Sequence, residues 1–195
     1  FTKQYLIQEL NNILDQKNNF GFVNFGKNKK INIEYVSANP TGPIHIAHIR
    51  GAVLGDVLSS IFKKTGNKVT KEYYVNDAGS QIEILGSSLY TRYCQLLNIK
   101  VDLTKNEYPG EYLIEIARKL VSKDNDKWIK QPIEKRKIFF KEFAVNFLIN
   151  NIKKDLSLIN IYFDKFTLET DIIKNNLIDK LSKLLKRKNL LYEGK

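Results

Sequence analysis

Glu34-Tyr35-Val36-Ser37-Ala38-Asn39-Pro40-Thr41-Gly42-Pro43-Ile44-His45-Ile46-Ala47-His48-Ile49-Arg50-Gly51-Ala52-Val53-Leu54-Gly55-Asp56 is the stretch on which the fold turns. It leaves a strand, since Ile31 to Val36 is β-branched and alternates at first. It crosses a run of breakers from Ser37 to Pro43. It then enters a helix. From about Ile46 to Lys64 the apolar residues Ile49, Val53, Leu54, Val57, Leu58, Ile61 and Phe62 recur at three and four, and Gly66 is placed to end the helix. The carboxyl end of a strand feeding a helix is where open α/β sheets bind ligands. The helix N-terminus adds free N–H groups and a partial positive charge that suit a phosphate.

Working outward, residues 2–16 predict an amphipathic helix through Tyr5, Leu6, Leu10, Ile13 and Leu14. Residues 17–30 read as a loop. Within it Gly21 to Lys27 imitates a P-loop, but Asn28 stands where Ser or Thr would hold magnesium, so it reads as a linker. On the other side Val69 to Val75 predicts a second strand, and Asp77 is placed to cap a helix from Ala78 to about Leu97. Strand, helix, strand, helix predicts parallel pairing. The expected fold class is α/β, a partial Rossmann-like parallel sheet spanning residues 31–100. Residues 101–160 read as an α-rich insertion, with helices near 110–123 and 132–159. Residues 161–195 return toward the sheet through a strand at 161–166 and a helix at 171–188. Leu190 to Lys195 reads as a strand cut off at its turn.

The 195 residues carry 43% hydrophobic content, which excludes a disordered chain, and a formal net charge of +11. That surplus suits a polyanion such as RNA, although Lys can equally be a solvated surface. The single cysteine, Cys94, excludes an internal disulfide and points to a reducing compartment, the cytoplasm. Its helical setting reads as a buried small residue. No apolar run approaches the roughly 18 residues of a membrane span. Phe1-Thr2-Lys3-Gln4 lacks a signal-peptide pattern, and the chain has no Met. A piece of a longer protein is the expectation.

The only two histidines, His45 and His48, both fall at the helix entry. Spacing of three on a first turn puts both on one side. Both can donate to phosphate oxygens, most usefully as charge builds on an attacked phosphate. Losing one such donor costs about 2.7–4 kcal/mol of barrier. A zinc half-site has the same spacing, but no cysteine or third histidine accompanies it, so no metal site is expected. Trp128 reads as a core residue of the insertion. The clusters Glu134-Lys135-Arg136-Lys137 and Lys186-Arg187-Lys188 read as solvated helix faces that could also meet phosphates.

His45-Ile46-Ala47-His48 resembles the HIGH signature of class I aminoacyl-tRNA synthetases. Ser37 to Pro43, Arg50-Gly51-Ala52 and Glu72-Tyr73-Tyr74-Val75-Asn76-Asp77-Ala78-Gly79-Ser80-Gln81-Ile82 resemble arginyl-tRNA synthetases specifically. Pro109-Gly110-Glu111-Tyr112-Leu113 is a weaker match. The resemblance covers about residues 31–195, and it makes residues 1–30 similar to the end of that family's N-terminal domain and its linker. It implies a HIGH-type nucleotide-binding fold and an ATP-dependent arginine–tRNA ligase, with L-arginine, ATP with Mg2+, and tRNA(Arg) as partners and a monomeric parent. Carried onto this sequence, it implies that Ser37, Ala38, Asn39 and His48 hold arginine, with Glu34 near its positive charge. Pro43, His45, Ala47 and His48 would line the ATP site, with His45 and His48 as catalytic donors. Asn76, Asp77 and Gln81 would shape the tRNA-end contact. A carboxylate in such a pocket matches the donor fork of a guanidinium.

The sequence departs from the family pattern in ways that matter. Ala47 replaces a glycine, and its methyl intrudes where a base would approach bare backbone. The elements that complete the sheet, the KMSKS-type loop and the anticodon-binding domain do not occur within the sequence, so the chain alone is expected to be inactive. Two other readings compete: a nucleotidylyltransferase of the wider HxGH superfamily, and an RNA-binding relic that no longer catalyses.

Overall fold

The computed structural model describes residues 1–192 and Gly194. Helix α1 spans Lys3–Gln16, and its N-cap Thr2 accepts a hydrogen bond from the Tyr5 N–H at 3.3 Å. None of its residues is buried. Strand β1 is Lys30–Glu34, helix α2 Ile46–Lys64 and strand β2 Lys68–Val75. Helices α3 (Ser80–Leu96), α4 (Tyr112–Asp124) and α5 (Ile133–Ser157) follow, then β3 (Lys165–Leu168), α6 (Glu169–Lys174) and α7 (Leu177–Arg187). The three strands form one parallel sheet in the order β1-β2-β3.

The sheet is two-faced. Tyr73 and Val75 of β2 are fully buried and join Leu85, Leu89, Ile116, Leu120, Phe140 and Leu148 in one core. The insertion helices α4 and α5 therefore share a core with the sheet instead of forming a separate one. Tyr73 stacks on Phe166 of β3 at 5.2 Å between ring centroids. The other face is polar. There Glu72 accepts from Asn32 of β1 and Thr167 of β3, and pairs with Lys165 at 3.0 Å. These bonds, Thr167 first, hold the Glu72 carboxyl down at about 2.

Helix α2 meets the sheet through small residues. Only Ala52, Gly55 and Ser59 are buried. Gly55 is required here, because a Cβ would lie 2.2 Å from Cγ of Tyr35. Asp56 on the next position reaches Lys71 of β2 at 2.5 Å. The segment that imitated a P-loop instead covers the end of this helix. Val23 N–H donates to the Lys64 carbonyl at 2.9 Å and Gly26 N–H to the Thr65 carbonyl at 2.7 Å.

Several local expectations are corrected. Asp77 does not cap α3. The helix starts at Ser80 with Gly79 as its N-cap, at φ 85. Asp77 turns across the sheet edge and accepts from the Thr170 N–H at 2.9 Å and the Thr170 hydroxyl at 2.6 Å. The strand expected at 161–166 sits later, at Lys165–Leu168. The helix expected at 171–188 is two helices, broken where Asn176 adopts φ 51. Residues 190–192 are not a strand, and Glu193 and Lys195 of that expectation lie outside the described residues.

Candidate functional site

The loop from β1 to α2 departs from the sheet under backbone strain. Val36 has φ 63 and Ser37 φ 39. The Ser37 N–H closes on the Tyr35 carbonyl at 2.9 Å, a three-residue turn centred on Val36. A β-branched residue at such φ is an outlier that its surroundings must hold in place. Here the surroundings are visible. The Ser37 hydroxyl accepts from the Tyr74 N–H at 3.0 Å, and the buried Tyr73 hydroxyl donates to the Ala38 carbonyl at 2.8 Å. Burial raises the Tyr73 phenol far above its ordinary value and keeps it neutral as a donor. From the insertion, the Tyr112 hydroxyl donates to the Thr41 carbonyl. Gly110 lets that ring fit, since a Cβ there would stand 2.2 Å from it. Pro109 to Leu113 thus braces the loop from outside the sheet.

The loop delivers His45 as the N-cap of α2 and His48 in its first turn. The two rings are 3.9 Å apart between centroids, tilted by 33°. The His45 N–H donates to Nδ1 of His48 at 3.2 Å. That bond requires an unprotonated Nδ1, which leaves Nε2 of His48 as the proton-bearing nitrogen. Burial, and then the neighbouring His45, lower the His48 value. His45 and Ala47 are exposed and His48 is half-buried. Pro43 is exposed on the approach to the helix.

Ala38 is buried, and Asn39 is exposed with its amide donating to Gln81 Oε1 at 3.1 Å. That bond joins the first motif to the start of α3. Glu34 is exposed on the polar face at the end of β1. The Tyr74 phenol is raised by burial first, then by the negative charges of Glu169, Asp77 and Glu34. A cavity of about 330 Å3 opens at the α3 N-terminus, lined by Asn76, Gly79, Ser80, Gln81 and Glu169. Asn76 satisfies its surroundings when its amide nitrogen donates to Glu169 Oε2 at 2.5 Å.

Every site residue expected from sequence therefore falls at the carboxyl edge of the sheet or the two helix entries beside it. The sequence reading missed Glu169, Thr170 and Tyr74. Glu169 had a signal: it directly follows the third parallel strand, where ligand-facing residues of such sheets lie. Cys94 is buried, with its thiol raised by burial, and no part of the site. Trp128 is buried against Phe139, with its indole donating to Asp124 at 2.6 Å. Among the described residues no group of three or more His, Cys, Asp or Glu could hold a metal.

A parallel sheet whose first crossover carries paired histidines at the helix entry agrees with the HIGH-type nucleotide-binding fold of class I aminoacyl-tRNA synthetases, a geometry that HxGH nucleotidylyltransferases share. Residues 9–194 match the sequence model of one branch, tRNA synthetases class I (R), catalytic domain, and the chain belongs to that family. It is 45% identical over 185 residues to an arginine–tRNA ligase of Wolbachia sp. subsp. Brugia malayi, covering 95% of this chain and 32% of that protein. It is 46% identical to one of Rickettsia bellii (strain OSU 85-389), again covering 95% and 32%. A crystal structure from Campylobacter jejuni, assigned as an arginyl-tRNA synthetase, aligns with TM-score 0.84 at 32% identity, over 100% of this chain and 42% of that one. The chain thus spans about a third of the length of the curated relatives it matches.

Proposed function

We propose that this chain carries the ATP-binding turn and part of the arginine pocket of an arginine–tRNA ligase. In the reaction, the arginine carboxylate attacks the α-phosphate of ATP, and pyrophosphate leaves. A ribose hydroxyl of the terminal adenosine of tRNA(Arg) then attacks the arginyl-adenylate, and AMP leaves. His45 and His48 donate to phosphate oxygens at the α2 N-terminus, whose free N–H groups favour the same charge. Ser37, Ala38, Asn39 and His48 line the arginine, and Glu34, with Asp77 and Glu169 nearby, supplies the negative field that a guanidinium or ammonium seeks. Pro43 and Ala47 flank the nucleotide, and the Ala47 methyl lowers its affinity. Asn76, Asp77 and Gln81 meet the tRNA end. Mg2+ arrives with ATP as part of the substrate. The activity belongs to a longer, monomeric protein in the cytoplasm, a compartment in keeping with one unpaired cysteine. No described helix is long and apolar enough to cross a membrane.

The observation that carries this reading is the histidine pair, 3.9 Å apart at the entry of α2. Its test is thermal protection by non-hydrolysable aminoacyl-adenylate analogues. The arginyl analogue should raise Tm, while neutral aminoacyl analogues should not. His45→Ala or His48→Ala should weaken the arginyl analogue about tenfold, the loss of one charge-assisted hydrogen bond. Equal protection by every analogue would point instead to nucleotidylyl transfer without arginine recognition. Robust arginine-dependent ATP–pyrophosphate exchange by these 195 residues alone would contradict the proposed need for a longer protein.

A further inference from the structure

The loop from Ser37 to Pro43 is held from two directions. The sheet supplies one, through Tyr74 on Ser37 and Tyr73 on Ala38. The insertion supplies the other. The Tyr112 hydroxyl donates to the Thr41 carbonyl. The Thr41 N–H in turn donates to the Asn39 carbonyl at 2.8 Å. A contact made at Tyr112 therefore ends on Asn39.

The turn that leads to Tyr112 is not free to follow the loop. It is fastened to α3 at successive points. Glu107 accepts from the Ser87 hydroxyl, and from the Thr91 hydroxyl at 3.2 Å. The Tyr108 N–H donates to the buried Ser88 hydroxyl at 2.9 Å. Arg92 donates to the Pro109 carbonyl at 2.8 Å. Helix α3 is anchored in its own right, since Leu85, Leu89 and Tyr93 are fully buried. The same helix takes the Asn39 amide on Gln81 at 3.1 Å. One buried helix thus holds Asn39 twice, directly through Gln81 and indirectly through Tyr112 and Thr41.

The histidines do not depend on this brace. His45 and His48 are bonded to each other at the α2 N-terminus, and Gly42, Pro43 and Ile44 separate them from Thr41. Burial, and then Tyr108, push the Tyr112 phenol up to about 12, so it keeps its proton and donates. Asn39 is exposed, and an exposed side chain that must be ordered when a ligand arrives costs affinity. Holding its backbone beforehand removes part of that cost.

We propose that Tyr112 is a positioning residue for the arginine side of the site, setting Asn39 through Thr41 before the amino acid arrives. The proposal rests on the reading of Ser37, Ala38 and Asn39 as the arginine pocket.

The test is calorimetric titration of the chain with a non-hydrolysable arginyl-adenylate analogue. Tyr112→Phe keeps the ring and removes only the donor. It should weaken the analogue about fivefold, the worth of one neutral hydrogen bond. Two double-mutant cycles separate positioning from a merely structural role. With Asn39→Ala already present, Tyr112→Phe should have little further effect, because the group it positions is gone. With His45→Ala present, the about fivefold loss should recur in full. A structural tyrosine would give the same loss in both backgrounds. Thermal melting checks that each variant folds. Gly110→Ala is the second variant, since its Cβ would stand 2.2 Å from Cε1 of Tyr112 and drive the ring off Thr41 with the hydroxyl intact. It should reproduce the loss, and it decides should Tyr112→Phe not fold. Unchanged affinity in Tyr112→Phe overturns the proposal, and so does equal loss in the two backgrounds. Either result leaves the ligase reading standing, because the unsubstituted chain still binds the analogue. No binding by the unsubstituted chain removes the ligase reading, and the role of Tyr112 with it.

Discussion

Helices α2 and α3 each leave the carboxyl end of a parallel strand, and both show apolar residues at three- and four-residue spacing. Their environments are opposite. α3 buries Ile82, Leu85, Leu89 and Tyr93 to within 1% against α4 and α5. α2 buries only Ala52, Gly55 and Ser59, and leaves Leu54 69% and Ile61 53% exposed, with Val53, Val57 and Leu58 alongside. The difference lies in which partner supplies the bulk. Beneath α2 the strand segment supplies it, through Tyr35, so the helix face must be small. Beneath α3 the helix supplies it. Periodicity thus identifies an apolar stripe, but not whether the stripe faces the core. An exposed stripe of this size is the kind of surface that partners or further chain cover. β1, beneath the same helix, is an edge strand with one side unpaired among the described residues.

The largest expected effect contrasts the two helices directly. Leu85→Ala on α3 leaves a cavity in a fully buried site and should cost about 2–5 kcal/mol. Gly55→Ala on α2 adds a methyl 2.2 Å from the Tyr35 ring and should cost about 1–3 kcal/mol, although alanine is the better helix former. Urea melts of both variants check the pair. A neutral or stabilised Gly55→Ala would mean that α2 is not seated on Tyr35, and the contrast would fail.

The next effect concerns the strand between the helices. Glu72 ties β2 to β1 through Asn32 and to β3 through Thr167 and Lys165. Its carboxyl is held at about 2 in the folded chain. A depressed carboxyl stabilises the fold above its ordinary value, and that contribution is lost as pH falls toward the depressed one. Stability should therefore decline between the usual carboxylate range and pH about 2. Glu72→Gln should cost about 1 kcal/mol at neutral pH and remove part of that acid slope. Amide exchange should show the β1–α2 side opening before the α3 core. An acid slope identical in Glu72→Gln would leave the strand tie without energetic weight.

Much of this was legible beforehand, for physical reasons that are themselves local. The breaker run Ser37 to Pro43 and the histidines after it announced the strand, turn and helix, and Gly66 ends α2 at φ 85. What failed was decided at a distance. Asp77 has the chemistry of an N-cap, yet Thr170, in the first turn of α6 93 residues later, takes its carboxylate. Asn176 sits inside a leucine pattern that reads as one helix from 171 to 188, and its left-handed φ of 51 splits that helix in two. The positive φ of Val36 has no local signature, because Tyr73 and Tyr74 of the neighbouring strand hold the loop through Ala38 and Ser37. Glu169 entered the site for the same reason: parallel pairing of β3 with β2 brought it there.

The smallest expected effect is the most discriminating. Leu54 is 69% exposed at the centre of the α2 stripe. Replacing it by lysine removes apolar surface that water already reaches and keeps a good helix former. Leu54→Lys should therefore change the stability of this chain by less than about 0.5 kcal/mol. The same substitution should lower any concentration-dependent association, since it charges the one large apolar stripe that α2 presents. Sedimentation and thermal melting measure the two together. A loss of more than about 1 kcal/mol would show Leu54 packed against something within these residues, because cavity formation needs walls and an exposed side chain has none. The outward stripe of α2 would then be a second core face, and its difference from α3 would be one of degree.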